Sequence, residues 1–300
     1  LLFTTIWPLF ALIVLGYALA RAGFPSREFW ASAERLNYYT LFPALLIVSL
    51  VRAPMGDPAI LRLGGAAVVT ILIASVVMVA ARRLKPTPPS RFGPALQGVI
   101  RFNTYLGLAV TGSLLGTEGL TRAAVYLAVA VPLVNVLSIL ALTDGGTLRR
   151  PGTLAKMLLT NPLILGCLIG AALAVSGIGL PFGSDGFLDL LARASLPLGL
   201  LCVGAALQPA TLTRDIPALA GNTVLRLAAM PALATAVAWA MGLSGIEAQV
   251  LVLFSAIPTA TSAYVLTRQM GGDGTLMAGI VTLQTLVCAL SIPLVLAVLL

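Results

Sequence analysis

The chain has 300 residues, 59% of them hydrophobic and only 9% charged, with a mean hydropathy of +1.04. A soluble globular domain carries about 25% charged residues, so this composition excludes one and indicates a polytopic membrane protein in contact with the lipid bilayer. The net charge of +8 is divided among short loops, which argues against nucleic acid as a partner. Histidine is absent and the three cysteines lie in apolar runs without metal-ligand spacing, so no metal or cofactor is expected.

Glycine, proline and charge divide the chain into ten candidate spans. In the first half they are expected at about 3–20, 36–51, 60–81, 95–115 and 121–142. In the second half they are expected at about 162–176, 188–207, 217–241, 248–267 and 276–299. The first segment is followed by further spans and reads as a transmembrane helix, not a cleaved signal. The weakest is 95–115, which contains Gln97, Arg101 and Asn103.

Pro8, Gly16, Gly23 and Pro43 recur 154 residues later as Pro162, Gly170, Gly177 and Pro197. Ala18-Leu19-Ala20 recurs in the same frame as Ala172-Leu173-Ala174. An odd number of spans in each copy turns one upside down relative to the other. Residues 1–142 (spans 1–5) and 161–300 (spans 6–10) therefore read as inverted repeats, a sign of secondary transporters, joined by a short linker over 143–160. Gly16 and Gly170 are expected to permit close helix packing, and Pro43 and Pro197 to bend a matched pair of helices.

Loops on one face carry Arg21, Arg27, Arg35, Arg82, Arg83, Lys85, Arg91, Arg149, Arg150, Lys156, Arg214 and Arg268; the other face carries Arg52, Arg62, Arg122 and Arg193. Twelve against four places the first face, and the linker with it, in the cytoplasm, with both termini outside.

All ten acidic residues fall in loops or at span ends, which leaves Arg101 and Arg226 as the ionisable residues within spans. Arg101 opens Arg101-Phe102-Asn103-Thr104-Tyr105 in the fourth span, and the ninth holds Pro258-Thr259-Ala260-Thr261-Ser262. An offset of 155 aligns Thr104 with Thr259, Gly116 with Gly271 and Gly119 with Gly274. Both repeats thus place a polar, helix-breaking stretch at the same point. Pro258 removes an amide donor, and Asn and Thr side chains satisfy backbone groups that a break leaves free. Two half-helix N-termini meeting at the midplane favour an anion, and Arg101 adds a full charge to them.

The candidate binding residues are Arg101, Asn103, Thr104, Tyr105, Pro258, Thr259 and Thr261. Gln97, Asn135, Gln284 and Thr285 are weaker, cavity-lining candidates. Arg226, one turn from Asn222 near the cytoplasmic start of the eighth span, reads as a snorkelling side chain. No nucleotide-binding loop and no Ser/His/Asp set is present, and Gly271-Gly272-Asp273-Gly274 reads as a turn; transport would be secondary or passive.

The stretches Gln97 to Tyr105 and Ala256 to Tyr264, with Leu41-Phe42-Pro43-Ala44, Leu196-Pro197-Leu198-Gly199-Leu200, Arg268 to Asp273 and Gln284-Thr285, resemble the auxin efflux carrier family, specifically its bacterial members of the malonate and malate type. The resemblance implies an all-α polytopic membrane protein of the NhaA-like or bile acid symporter-like kind: ten transmembrane helices as two inverted five-helix repeats, with broken helices 4 and 9 crossing. It implies a scaffold of spans 1, 2, 6 and 7, a transport domain of spans 3–5 and 8–10, an elevator-like movement, small organic anions as substrates and a homodimer through the scaffold helices. The expected location is a bacterial inner membrane. Plant members carry a proline-asparagine pair at both crossovers, whereas this chain has Asn103 without proline and Pro258 without asparagine, which favours a small metabolite over auxin. The lack of a mid-span carboxylate argues against a carboxylate-based sodium or proton site. A sodium-coupled organic anion symporter of the bile acid type is the nearest rival. A membrane-embedded enzyme or a sensor is a distant one, because histidine and an output domain are both missing.

Overall fold

A computed structural model describes residues 2–52, 58–143, 152 and 160–299. The described residues form helices and connecting turns, with no strand among them. They are α1 (Leu2–Arg21), α2 (Arg27–Leu36), α3 (Phe42–Val51), α4 (Pro58–Leu84), α5 (Pro89–Ile100), α6 (Thr104–Leu142), α7 (Pro162–Ser176), α8 (Asp185–Ala205), α9 (Ile216–Val224), α10 (Met230–Ala240), α11 (Gly245–Ala256), α12 (Ser262–Gln269) and α13 (Gly274–Leu299). Among the described residues five helical stretches are long and apolar enough to cross a membrane: Leu61–Leu84, Pro89–Leu142, Asp185–Ala205, Ile216–Ala240 and Gly274–Val298. Ile6–Arg21, Pro162–Ser176 and Gly245–Ala256 are shorter apolar helices. The linker expected over 143–160 lies outside the described residues except for Thr143, Gly152 and Thr160.

Local chemistry accounts for the helix ends. Asn161 caps α7 by accepting from the amides of Leu163 and Ile164, Pro162 takes the first helical position, and Gly177 ends the helix at φ 70°. This helix has the bounds read from sequence. The second span starts earlier than expected, because a π-turn at Asn37–Leu41 carries α2 straight into α3. Its start is set by Ser26, whose hydroxyl accepts from the Phe29 amide at 3.2 Å. The fourth span also starts earlier, at Pro89, where proline's missing amide costs nothing. The stretches expected as the fourth and fifth spans join within α6 at Gly116 (φ 63°, ψ −153°), a conformation open to glycine alone. The eighth span contains a second π-turn, Leu225–Ala229, between α9 and α10.

Helix α1 packs on α8, and α3 packs on α7 and α8. A Cβ on Gly16 would lie 2.1 Å from the Leu201 carbonyl oxygen, and one on Gly170 would lie 3.0 Å from the Ile47 Cα. Both glycines let two helix backbones touch. Gly16 and Gly170 are 154 residues apart, and so are their partners Ile47 and Leu201. The remaining helices form a second packed group. There α6 meets α4, α5 and α11, α10 meets α4 and α11, and α13 meets α5, α9, α11 and α12. Helix α6 also touches α1, α3, α7 and α8. Many large apolar side chains turn outward, such as Val14, Leu15, Ile73, Val76, Val77, Leu290 and Leu294.

Among the described residues, ion pairs between distant stretches tie loops or helix ends together at Arg52–Asp189 (2.8 Å), Arg122–Glu247 (2.7 Å) and Arg91–Asp215. Each joins residues that the loop-charge assignment puts on the same face.

Candidate functional site

The polar stretches of spans 4 and 9 are both real breaks, and they meet. Helix α5 stops at Ile100 and α6 begins at Thr104; α11 stops at Ala256 and α12 begins at Ser262. At the meeting point the Asn103 amide donates to the Pro258 carbonyl at 2.8 Å. The Asn103 side chain then caps α6, accepting from the Leu106 amide at 3.1 Å. A set of buried polar side chains laces the crossing together. Thr259 donates through its hydroxyl to the Gln97 carbonyl (3.1 Å) and through its amide to Gln284 Oε1 (2.9 Å). Gln284 Nε2 donates to the Gly98 carbonyl and to Asn222 Oδ1, both at 3.0 Å, and Asn222 Nδ2 donates to the Ala95 carbonyl at 2.8 Å. Gln97 Nε2 donates to Thr267 Oγ1 at 2.9 Å.

Gln97, Gln284, Thr285, Pro258 and Thr259 therefore do not line the cavities described below. The first three were expected to face a cavity, but they are buried; Gln284 bonds the backbones of both broken helices, and Gln97 reaches the Thr267 hydroxyl. Thr285 returns its hydroxyl to the Val281 carbonyl, at 2.7 Å, within its own helix.

Arg226 does not snorkel. It is 1% exposed, and the π-turn at Leu225–Ala229 points it at the crossing. Its guanidinium donates through Nε to the Ile257 carbonyl (2.7 Å), through Nη1 to Val99 (2.9 Å) and through Nη2 to Phe254 (2.6 Å). These carbonyls lie at the C-terminal ends of α5 and α11. Helix C-termini carry about half a negative charge each, so one cation neutralises both. None of these three carbonyls can be seen from the sequence around Arg226, since all lie on other helices.

The opposite poles, the N-termini of α6 and α12, stand on one small cavity of about 40 Å³. Its walls include Asn103, Thr104, Tyr105, Ala260, Thr261 and Ser262, with Glu34, Tyr38 and Phe42 from the second span. Asn103 is 1% exposed and its Nδ2 has no hydrogen-bond partner. A buried donor left unpaired on a cavity wall is uncommon and fits an acceptor that arrives with a ligand. Beyond this cavity lies a wider vestibule of about 560 Å³, within the range of roughly 300–1,000 Å³ typical of small-molecule sites. Glu34, Tyr38 and Ser262 border both spaces. The vestibule adds Arg101, Asn135 and Asn161, and it extends to Arg35 and Gln269, which are exposed.

Arg101 is held over the vestibule by two neutral acceptors, Asn135 Oδ1 at 3.1 Å and Ser262 Oγ at 3.0 Å. Among the described residues no carboxylate pairs with it, so its charge is left for something else. Of the residues expected to bind, the structure brings Arg101, Asn103, Thr104, Tyr105 and Thr261 to these two spaces, and Asn135 with them. The Tyr105 ring packs edge-on against Phe42, with centroids 5.0 Å apart, and closes the cavity toward α3.

Glu34 reads from sequence as an acidic residue outside the spans, with no part in the site. In the structure it borders the small cavity, the vestibule and a third space of about 250 Å³ that also reaches Trp30, Cys202 and Tyr264. Its Oε1 accepts from the Thr261 hydroxyl at 3.3 Å. The signal that points to it is the amphipathic run Arg27–Leu36, which continues into the apolar second span without a breaker.

Residues 147–296, half of the chain, match the family model described as "Membrane transport protein". The chain is 25% identical over 299 residues to a protein of Methanothermobacter thermautotrophicus named "Uncharacterized transporter", covering 97% of this chain and 96% of the relative. It is 26% identical over 279 residues to a protein of Rhizobium meliloti named "Putative malonate transporter", covering 88% of this chain and 85% of the relative.

Proposed function

Since the chain belongs to the membrane transport protein family, we propose that it moves small carboxylate anions across a bacterial inner membrane as a secondary transporter or facilitator, with the crossing of α5–α6 and α11–α12 as the substrate site. One observation carries this reading: the two half-helix N-termini and the unpaired Asn103 Nδ2 border one small cavity, and the Arg101 guanidinium borders the neighbouring vestibule, which shares Glu34, Tyr38 and Ser262 with it. Helix N-termini and a guanidinium without an acid partner attract anions, and a free amide donor suits a carboxylate oxygen. The name of the Rhizobium meliloti relative supports a dicarboxylate as the first compound to try.

The reading takes the chain as ten spans in two inverted repeats. It is supported by the matched contacts Gly16 to Leu201 and Gly170 to Ile47, each member of one pair 154 residues from its counterpart in the other. It takes spans 1, 2, 6 and 7 as a static scaffold, because α1, α3, α7 and α8 pack mainly on one another. The helices carrying the crossing then move against that scaffold in an elevator-like step, and the vestibule faces the cytoplasm, on the side richer in arginine and lysine.

The test is uptake and efflux of radiolabelled malonate by proteoliposomes, compared with a neutral solute of the same size. Flux of malonate that is lost in Arg101→Ala supports the assignment. Equal flux of the neutral solute, or no flux of any carboxylate, rejects it. Repeating the assay with and without sodium separates this reading from a sodium-coupled symporter.

A further inference from the structure

Glu34 is the acidic residue that shares the cavity walls with the anion-attracting groups, and this sets a conflict of charge. Its carboxylate accepts one hydroxyl, from Thr261, and forms no ion pair among the described residues. Arg101 borders the same vestibule, but its guanidinium donates to the neutral Asn135 and Ser262 and not to Glu34. The other titratable or charged groups that border the spaces around Glu34 are Arg35, Tyr38 and Tyr39 on its own helix run, Tyr105 on α6, Cys202 on α8 and Tyr264 on α12. None of these is a second carboxylate. An anion seated at Asn103 and the α6 N-terminus therefore meets one like charge, and that charge sits on a wall of its own cavity. Two carboxylates in one enclosed site cannot both stay ionised without cost, so the arrival of the second favours a proton on the first.

We infer that Glu34 is a proton-binding site linked to the substrate site: the anion binds together with one proton, which resides on the Glu34 carboxyl. The inference rests on the carboxylate-site reading above and adds the ion that accompanies the substrate. The balance is simple. A proton from the solvent joins a Glu34 oxygen as the anion enters, the charge of the site rises by one and falls by that of the anion, and no covalent bond of the substrate changes. In the protonated form Glu34 gains a donor, so it can turn from accepting the Thr261 hydroxyl to donating toward the anion. Glu34 stands on α2, across the cavity from the broken helices. Movement of those helices away from α2 breaks its bond to Thr261 and takes the anion out of its reach. Proton linkage thus belongs to the state in which α2 closes the site.

The sign follows from linkage. Below its titration Glu34 already holds the proton and the anion binds at full strength; above it, binding must take a proton up, and affinity falls about tenfold per pH unit. The experiment is calorimetric titration of malonate into the purified full chain in detergent, between pH 5.5 and 8.5, in two buffers of different ionisation enthalpy. The wild type is expected to take up about one proton more per malonate than Glu34→Gln at the alkaline end. Glu34→Gln, a fixed stand-in for the protonated acid, is expected to bind with the same pH profile as malonate's own titration predicts, and Glu34→Asp to keep the wild-type dependence. Malonate titrates identically in all three, so the differences report on residue 34. If the wild type takes up no proton beyond malonate's own, the inference is overturned whether or not the variants fold, and the anion site stands. If malonate and other carboxylates fail to bind at every pH, the anion site falls and the proton site with it.

Discussion

The Arg226 guanidinium lies 2.7 Å from the Ile257 carbonyl, and the same planar group reaches Val99 and Phe254, so one side chain closes the ends of two helices. Each hydrogen bond to a charged group contributes about 1.5–3 kcal/mol, and a buried carbonyl left unpaired carries a further penalty. Arg226→Gln is expected to destabilise the protein by at least about 3 kcal/mol, read as a large fall in melting temperature in detergent or as failure to elute as a single species. Arg226→Lys is expected to rescue little, because an ammonium cannot present the fork that meets three carbonyls. A lysine variant as stable as wild type would rule the clamp out.

Gly98 sits where the network is tightest. A Cβ there would lie 2.1 Å from Asn222 Oδ1, which in turn accepts from Gln284. Gly98→Ala is expected to displace Asn222 and cost roughly 1–3 kcal/mol. Because Asn222→Ala removes the clashing atom, the double variant should lose less than the sum of the two single ones, by at least about 0.5 kcal/mol in a double-mutant cycle. Plain additivity would mean that the two residues do not share the network.

On the proposed carboxylate reading, Arg101 supplies attraction and not stability. Its two partners are neutral and it borders the vestibule. Arg101→Ala is expected to reduce malonate flux at least tenfold, on the order of 1.4 kcal/mol or more of lost binding, while the melting temperature moves little. Asn135→Ala, which removes one of the groups steering the guanidinium, should weaken flux less. A melting temperature that collapses in Arg101→Ala would make this a structural arginine.

Gly16 and Gly170 make a matched experiment. Each lets its helix touch the backbone of another, against Leu201 and Ile47 respectively. Gly16→Leu and Gly170→Leu are both expected to be strongly destabilising, since overpacking against backbone cannot be relieved by a rotamer change. Gly186→Ala, at a helical position with open space around it, should be neutral or raise stability by up to about 1 kcal/mol. Thermal melts of the three variants side by side decide whether contact, rather than glycine itself, is what these positions need.

Much of the fold and part of the site are legible in the sequence, and the boundary is a physical one. The breaks at Asn103 and Pro258 announce themselves, because polar side chains and a proline inside an apolar span are costly unless the helix opens there. The bounds of α7 follow from Asn161, Pro162 and Gly177, whose effects are local. Arg226 escapes a sequence reading because its burial depends on which way a π-turn rotates the helix, and its three partners come from two other helices. Glu34 escapes it for a related reason: the apolar run begins after it, and only the continuity of α2 with α3 carries it into the wall of the site. Gln284 is polar enough to be expected against a cavity, but an amide that can donate and accept at once is also what two broken backbones need between them.

The crossing itself is joined, backbone to backbone, by the Asn103 amide on the Pro258 carbonyl. Proline has no amide hydrogen to return, so the partner bond that would make this a reciprocal pair cannot form. Two reciprocal bonds fix an angle between chains, whereas one fixes only a point. Pro258 therefore leaves the two backbones a single shared point, and the angle between the broken helices falls to the side chains that bond across it, Thr259, Gln284 and Arg226.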